Sequence, residues 1–200
     1  MREPQLKLPA PCLTRVEALA GTYALLLLPI AMASVQIGRL GILNLRSGFY
    51  VYVGSALGSG GVRARLAHHL MASIRPHWHV DYLRLHTTIE EVWYCLDGSR
   101  REHSWAQRLR TAAGAFLPLI GFGASDCRCD AHLYFFETRP SYDRIRRILG
   151  KGIKVRSLLA HAWTCSSLSN QFHDSCSVHR PVPSNWQTGS RPAALGPNAA

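Results

Sequence analysis

Acidic residues are scarce in this 200-residue chain: 12 Asp and Glu stand against 23 Lys and Arg, giving a formal net charge of +11. That imbalance makes an anionic partner the first expectation, with nucleic acid ahead of an anionic membrane surface. An uninterrupted apolar run is also missing. The uncharged stretch 18–38 is marginal in length for a membrane span and is broken by Gly21 and Pro29. Cysteine is too sparse and too irregular for a disulfide scaffold, with six residues at 12, 95, 127, 129, 165 and 176. A Cys127–Cys129 disulfide would close a strained ring. These features favour a reducing compartment and a cytoplasmic protein that does not use the membrane. No internal repeat is present. What the chain has is 47% hydrophobic residues, which excludes disorder for most of its length and suffices for one domain with a core.

The uncharged stretch has two readings. Arg15, then Leu25-Leu26-Leu27-Leu28, then Ala31-Met32-Ala33 imitates a signal peptide with a mature start at Ser34. The alternative is a buried strand over 22–28, a turn at Pro29 and a second strand over 34–37. A basic body follows and Gly21-Thr22-Tyr23 has a use, so the strand reading is preferred.

Along the chain, residues 1–14 read as a loose leader, 15–140 as the domain, 141–160 as a basic extension and 161–200 as a disordered tail rich in Ser, Asn, Gln, Pro and Gly. Strands are expected over 22–28, 34–37, 49–53, 89–95 and 133–136. Gly38-Arg39-Leu40-Gly41 and Arg46-Ser47-Gly48 supply turns, and such short connections favour antiparallel pairing. In Phe49-Tyr50-Val51-Tyr52-Val53 the alternation places Tyr50 and Tyr52 on one face and Phe49, Val51 and Val53 on the other. His77-Trp78-His79-Val80-Asp81-Tyr82-Leu83 also alternates, setting His77, His79 and Asp81 on one side. Helices are expected from Val62 to about Ser73 and from about Arg101 to Ala113, the second with Trp105, Leu109 and Ala112 or Ala113 as its apolar stripe.

The chemistry concentrates in Gly48 to His69. Gly58-Ser59-Gly60-Gly61 permits a sharp turn with backbone close to a ligand. On the following helix Arg65 and His69 stand at i, i+4, one above the other. A strand presenting a phenol beside a helix presenting a guanidinium and an imidazole suits a phosphate. Taken singly, Tyr23 and Tyr52 also read as half-buried sheet tyrosines, Arg65 and His69 as a solvated helix face, and Glu102 as a first-turn glutamate favoured by the helix dipole. The basic stretch from Arg139 to Arg156 would add phosphate contacts without sequence preference, or be a solvated face.

Gly21-Thr22-Tyr23, Tyr52-Val53-Gly54-Ser55, Arg65-Leu66-x-x-His69 and the later Glu102 resemble the GIY-YIG nuclease superfamily over about residues 20–137. The His77–Leu83 block and Gly121-Phe122-Gly123-Ala124-Ser125-Asp126-Cys127-x-Cys129-x-x-His132-Leu133 are similar to an uncharacterised branch that includes domains fused to endonuclease III. The resemblance implies an α+β domain with a small three-stranded antiparallel sheet flanked by helices. It implies hydrolysis of phosphodiester bonds, in DNA rather than RNA, with one Mg²⁺ or Mn²⁺ ion and a DNA-repair protein as a partner. Tyr23 and Tyr52 are then assigned to water activation and phosphate positioning, Arg65 to the phosphate, His69 to proton relay and Glu102 to the metal. Gly54, Ser55 and Arg63 are candidate substrate-binding positions. Glu102 is followed by His103 where the branch pattern has cysteine, and the asparagine usual near the end of the superfamily core has no evident equivalent. A non-catalytic nucleic-acid-binding module of the same fold is the alternative.

A second constellation is Cys127, Cys129 and His132, with His79 or His77 as a fourth ligand, which would suit Zn²⁺. Cys-x-Cys is a less common structural-zinc spacing than Cys-x2–4-Cys. The competing reading is a packed loop in which Cys129 is a small core residue and Asp126 caps a turn.

Overall fold

Strict alternation along Gly21–Pro29 (β1) sends Tyr23, Leu25 and Leu27 to one face and Ala24 and Leu26 to the other, and both sets are buried. A strand apolar on both faces belongs in the middle of a sheet covered on both sides. The computed structural model describes residues 16–71 and 75–158 and places β1 at the centre of a five-stranded antiparallel sheet. Its neighbours are Phe49–Ala56 (β4) and Thr87–Cys95 (β5). The edges are Leu133–Phe136 (β6) beside β4 and Lys154–Ser157 (β7) beside β5. Ala33–Ile37 (β2) and Gly41–Leu45 (β3) pair only with each other, as a separate two-stranded sheet.

The layers follow from the alternation. Tyr23, Leu25, Tyr50, Tyr52, Val92 and Tyr94 meet Val62 and Leu66 of the helix Gly61–Leu70 (α1), Val80 and Leu83 of His79–Arg84 (α2), and the inward residues of β2 and β3. On the opposite face Ala24, Leu26, Val51, Val53 and Trp93 meet Trp105, Ala106 and Leu109 of Glu102–Arg110 (α3) and Ile145 and Leu149 of Tyr142–Leu149 (α4). The expected split of Phe49–Val53 into two faces holds residue by residue.

The expectation of a small three-stranded sheet is overturned. The α+β class stands, but the sheet has five strands, with an additional two-stranded sheet. Both added edges are four-residue strands. β7 in particular has no apolar alternation, so its place depends on backbone pairing with β5 rather than on a pattern within Lys154–Ser157. The His77–Leu83 block, which alternates in sequence, is largely α2. Asp81 accepts hydrogen bonds from the backbone N–H groups of His77 (3.0 Å) and Trp78 (2.9 Å), capping the helix start, and Val80 and Leu83 become its buried pair. In α3 the buried stripe is Trp105, Ala106 and Leu109, because the helix ends at Arg110, before Ala112 and Ala113. Within 141–160, read as a basic extension, Tyr142–Leu149 forms α4 and Lys154–Ser157 forms β7. The leader at 1–14 and the tail at 161–200 lie outside the described residues. No helix among the described residues is long and apolar enough to cross a membrane.

The core position of α4 makes a direct prediction. Ile145 is fully buried, so Ile145→Ala should destabilise the domain by about 2–4 kcal/mol, measured by urea unfolding. A solvated basic extension would tolerate the same change with less than about 0.5 kcal/mol.

Candidate functional site

The site is built at the Gly21 end of β1. Tyr23 pairs in register with Gly54 of β4, and its ring lies across that glycine. A Cβ at position 54 would stand 2.5 Å from the Tyr23 hydroxyl and 2.6 Å from Cζ, so only glycine leaves this path open. Gly54 thus acts by admitting the phenol rather than by contacting a ligand. The Tyr23 hydroxyl reaches Nε2 of His69 at 2.7 Å, and its ring packs against the same imidazole. Tyr52 is set edge-on to His69 and to Phe122. His69 Nδ1 is buried with no hydrogen-bond partner among the described residues.

Arg65, one turn before His69, stacks its guanidinium over Trp78 at 4.2 Å. Together with Ala56, Gly58, Ser59, Gly61 and His68 they line an open depression beside the glycine turn. Gly60 and Gly61 both take positive φ there, 80° and 54°, so the glycine run is needed to make the turn. Arg63 is exposed on the same helix and Ser55 is half-buried on β4.

Glu102 comes from the other side of the sheet. Thr22, adjacent to Tyr23 and facing the opposite way, donates from Oγ1 to the Ser99 carbonyl (3.1 Å) and accepts from the Arg101 backbone N–H (2.9 Å). This pins the start of α3 to β1 and holds Glu102, which is 8% exposed, where its charge bears on Tyr23 and Tyr52. Its carboxylate lies 3.5 Å from both Arg100 and Nε2 of His103.

The electrostatics are dominated by burial. Burial pushes the Tyr23 phenol well above its ordinary value, reinforced by Tyr52, and the opposing pull of Arg65 is the smaller effect. Tyr52 is raised for the same reason, against Arg65 and with Glu102. Burial, helped by His68, Arg65 and Arg84 and opposed by Asp81, lowers His69 to about 3. The resting site is therefore two neutral phenols and a neutral imidazole between the charges of Arg65 and Glu102. The cationic field of Arg65 does not by itself make Tyr23 a phenolate.

Three contributors escape a reading of the sequence. Thr22 is one; its signal was only its place in Gly-Thr-Tyr. Arg84 is another: it is buried and donates to the carbonyls of His69 (2.9 Å) and Thr87, fixing the end of α1, and burial lowers it to about 10. His68 is the third, hydrogen-bonded at 3.1 Å to Asp81, whose backbone bonds and His68 together hold its carboxyl below the usual range despite burial. His68, His69 and Asp81 offer donor atoms within 4.8 Å of one another, but Asp81 is committed to the α2 cap.

These residues fall within the span of one family model, which matches residues 22–153 and is described as a domain of unknown function, DUF123. The chain belongs to the DUF123 family. No curated protein and no solved structure matches it. The DUF123 match starts at Thr22 and runs past α4, so it takes in the pin, both phenols, α1, α2 and α3.

The DUF123 domain also gathers the second constellation. Cys127 Sγ is 3.5 Å from Nε2 of His132, and Cys129 Sγ is 3.4 Å from Nδ1 of His103. The donor atoms of His103, Cys127, Cys129 and His132 all lie within 4.8 Å of one another. His79, expected as the fourth member, is elsewhere: its Nδ1 accepts from the Gly123 backbone N–H at 2.9 Å and its ring packs on Phe122. His77 is exposed. Cys129 is pushed up to about 11, first by burial and then by Cys127. Gly123 has φ +74°, and a Cβ there would meet His132 Cβ at 3.0 Å and Tyr52 Cε2 at 3.2 Å, so this loop packs directly under Tyr52.

His69 gives the domain a signature in acid. Its folded value, about 3, lies below the ordinary 6.5, so the unfolded chain takes up a proton that the folded protein refuses. Stability then falls as pH drops through the interval from about 6.5 towards 3. The charged and titratable groups around it are Tyr23, Tyr52, His68, Asp81, Arg65 and Arg84. Asp81 has a lowered value and titrates below 3.8, so between pH 7 and 4.5 the His69 effect is separated from it. The parent should lose Tm over that range more steeply than His69→Gln; equal slopes in thermal melts would contradict the assignment.

Proposed function

We infer that this DUF123 protein is a GIY-YIG-type endonuclease that hydrolyses phosphodiester bonds, with DNA as its substrate and Mg²⁺ or Mn²⁺ as its cofactor. The observation that carries this reading is the Tyr23–His69 hydrogen bond, 2.7 Å, set between the charges of Arg65 and Glu102. The net charge of +11 supports an anionic polymer as substrate.

Glu102 fits a divalent cation: it is a hard oxygen donor, largely buried, whose only ion-pair neighbours among the described residues stand at 3.5 Å. A single carboxylate completed by waters and substrate oxygens is an ordinary Mg²⁺ arrangement. When bound there, the ion would supply charge neutralisation on the phosphoryl oxygens.

The remaining work falls to the chain. Arg65, steadied on Trp78, clamps the phosphate with its guanidinium edge. A water attacks phosphorus and the bond to the leaving sugar oxygen breaks. The water's proton passes to the Tyr23 oxygen as Tyr23 hands its own to Nε2 of His69, and the departing sugar oxygen takes up a proton from solvent. A free phenolate is disfavoured by burial, so the transfer is concerted. The phosphodiester anion brings the counter-charge the resting pocket lacks and raises the proton affinity of His69 when it is needed. Tyr52 holds the imidazole edge-on and positions the phosphate.

The burial of Tyr23 (2% exposed) and Tyr52 (9%) favours one other reading, a non-catalytic nucleic-acid-binding module. Supercoiled plasmid with Mg²⁺ or Mn²⁺ separates the two. The nuclease reading expects metal-dependent nicking that falls by at least about 100-fold in Tyr23→Phe, Arg65→Ala and Glu102→Gln. DNA binding should be kept in Tyr23→Phe and Glu102→Gln. A parent that binds DNA yet never nicks it, on plasmid or branched substrates, would leave the binding module.

A further inference from the structure

The connection between α3 and β6, residues 111–132, carries no helix or strand of its own, only an isolated bridge between Phe116 and Phe135. Irregular segments of that length inside a compact domain are uncommon and need an anchor. One ion pair, Arg110 with Asp130, ties the segment to α3. The other convergence is chemical: two thiols and an imidazole from its C-terminal part, Cys127, Cys129 and His132, meet His103 in the first turn of α3.

We propose that His103, Cys127, Cys129 and His132 form a closed structural zinc site that fastens this loop to the start of α3. The donor set is two sulfurs and two imidazole nitrogens without a carboxylate, which selects zinc over magnesium or calcium. For Zn–S of about 2.3 Å and Zn–N of about 2.0–2.1 Å, a tetrahedron has S···N edges of about 3.5–3.6 Å. The two S···N separations observed are 3.4 and 3.5 Å, and all four donors lie within 4.8 Å of one another. Two independent N–H···S hydrogen bonds would account for the pairs but not for their convergence on one centre. Four protein donors leave no open position, so the site is structural rather than hydrolytic.

The group behind His103 agrees with this. With Nδ1 of His103 turned to the sulfur of Cys129, its Nε2 is left facing the Glu102 carboxylate 3.5 Å away, the side on which a metal-bound histidine takes its outer partner. Binding displaces the two thiol protons and leaves both cysteines as thiolates. Because His132 abuts Gly123, which packs under Tyr52, the metal also steadies the floor beneath that phenol. Nothing in this site depends on the nuclease reading.

The test is the metal content of the purified full chain, with cobalt substitution. One zinc per chain is expected, and cobalt reconstitution should give the visible absorption of a tetrahedral thiolate-ligated ion. Cys129→Ser and His103→Ala should lose the metal, His103→Cys should retain it, and His79→Ala should retain it as well. Chelation should lower the Tm of the parent but not of the Cys127→Ser/Cys129→Ser double variant. A folded parent carrying no more zinc than that double variant would overturn the site. Full stoichiometry and an unchanged cobalt spectrum in His103→Ala would overturn the ligand set. Loss of zinc without loss of nicking, or the reverse, keeps this question apart from that of the nuclease.

Discussion

A phenol laid across a glycine is the constraint on which the rest of this molecule depends. Tyr23 reaches His69 because Gly54 has no side chain in its way, and a methyl group there would stand 2.5 Å from the hydroxyl. The contact lies between β1 and β4, so a one-residue shift in their register would separate Tyr23 from Gly54 and exchange the faces of the β1 side chains. Site geometry and core packing are therefore the same constraint. Neighbouring residues on β1 divide the work: Tyr23 faces α1 and His69, while Thr22 faces the other layer and pins α3 with Glu102. A central strand alternating between two buried faces is thus able to bring a helix from each layer to one point.

Burial gives this arrangement both precision and a cost. It holds Tyr23, Tyr52 and His69 in one geometry, but it pushes the phenols up and the imidazole down, so neither is charged at rest. Any chemistry there must import its counter-charge with the substrate. Arg65 stands stacked on Trp78 at the edge of the depression rather than sunk beside the phenols. Asp81 and Arg84 serve the scaffold: one caps α2 and holds His68, the other fastens the end of α1 through the His69 carbonyl.

Glu102 and His103 join the two clusters of reactive side chains. One residue's charge bears on the phenols, the next turns its imidazole to Cys129, and the two side chains face each other at 3.5 Å. The first turn of α3 is consequently shared between the candidate phosphate site and the loop that supports Tyr52.

What the residues themselves determined is whatever depends on local period and chemistry. The two-faced strand at Phe49–Val53, the helix carrying Arg65 and His69 one turn apart, the glycine turn before it and the soft donors at Cys127, Cys129 and His132 were all legible in the sequence. Tertiary structure decided what depends on partners far along the chain. β7 is a strand because β5 offers it an unpaired edge, not because Lys154–Ser157 alternates. The His77–Leu83 block alternates like a strand, yet most of it is helical because Asp81 caps the backbone before it. The fourth soft donor is His103 rather than His79, since α3 is pinned by Thr22 on β1 while His79 is taken by Gly123. Periodicity reports which way a side chain points relative to its neighbours in sequence. Which distant group it then meets is set by strand order and register, and those are properties of the whole sheet.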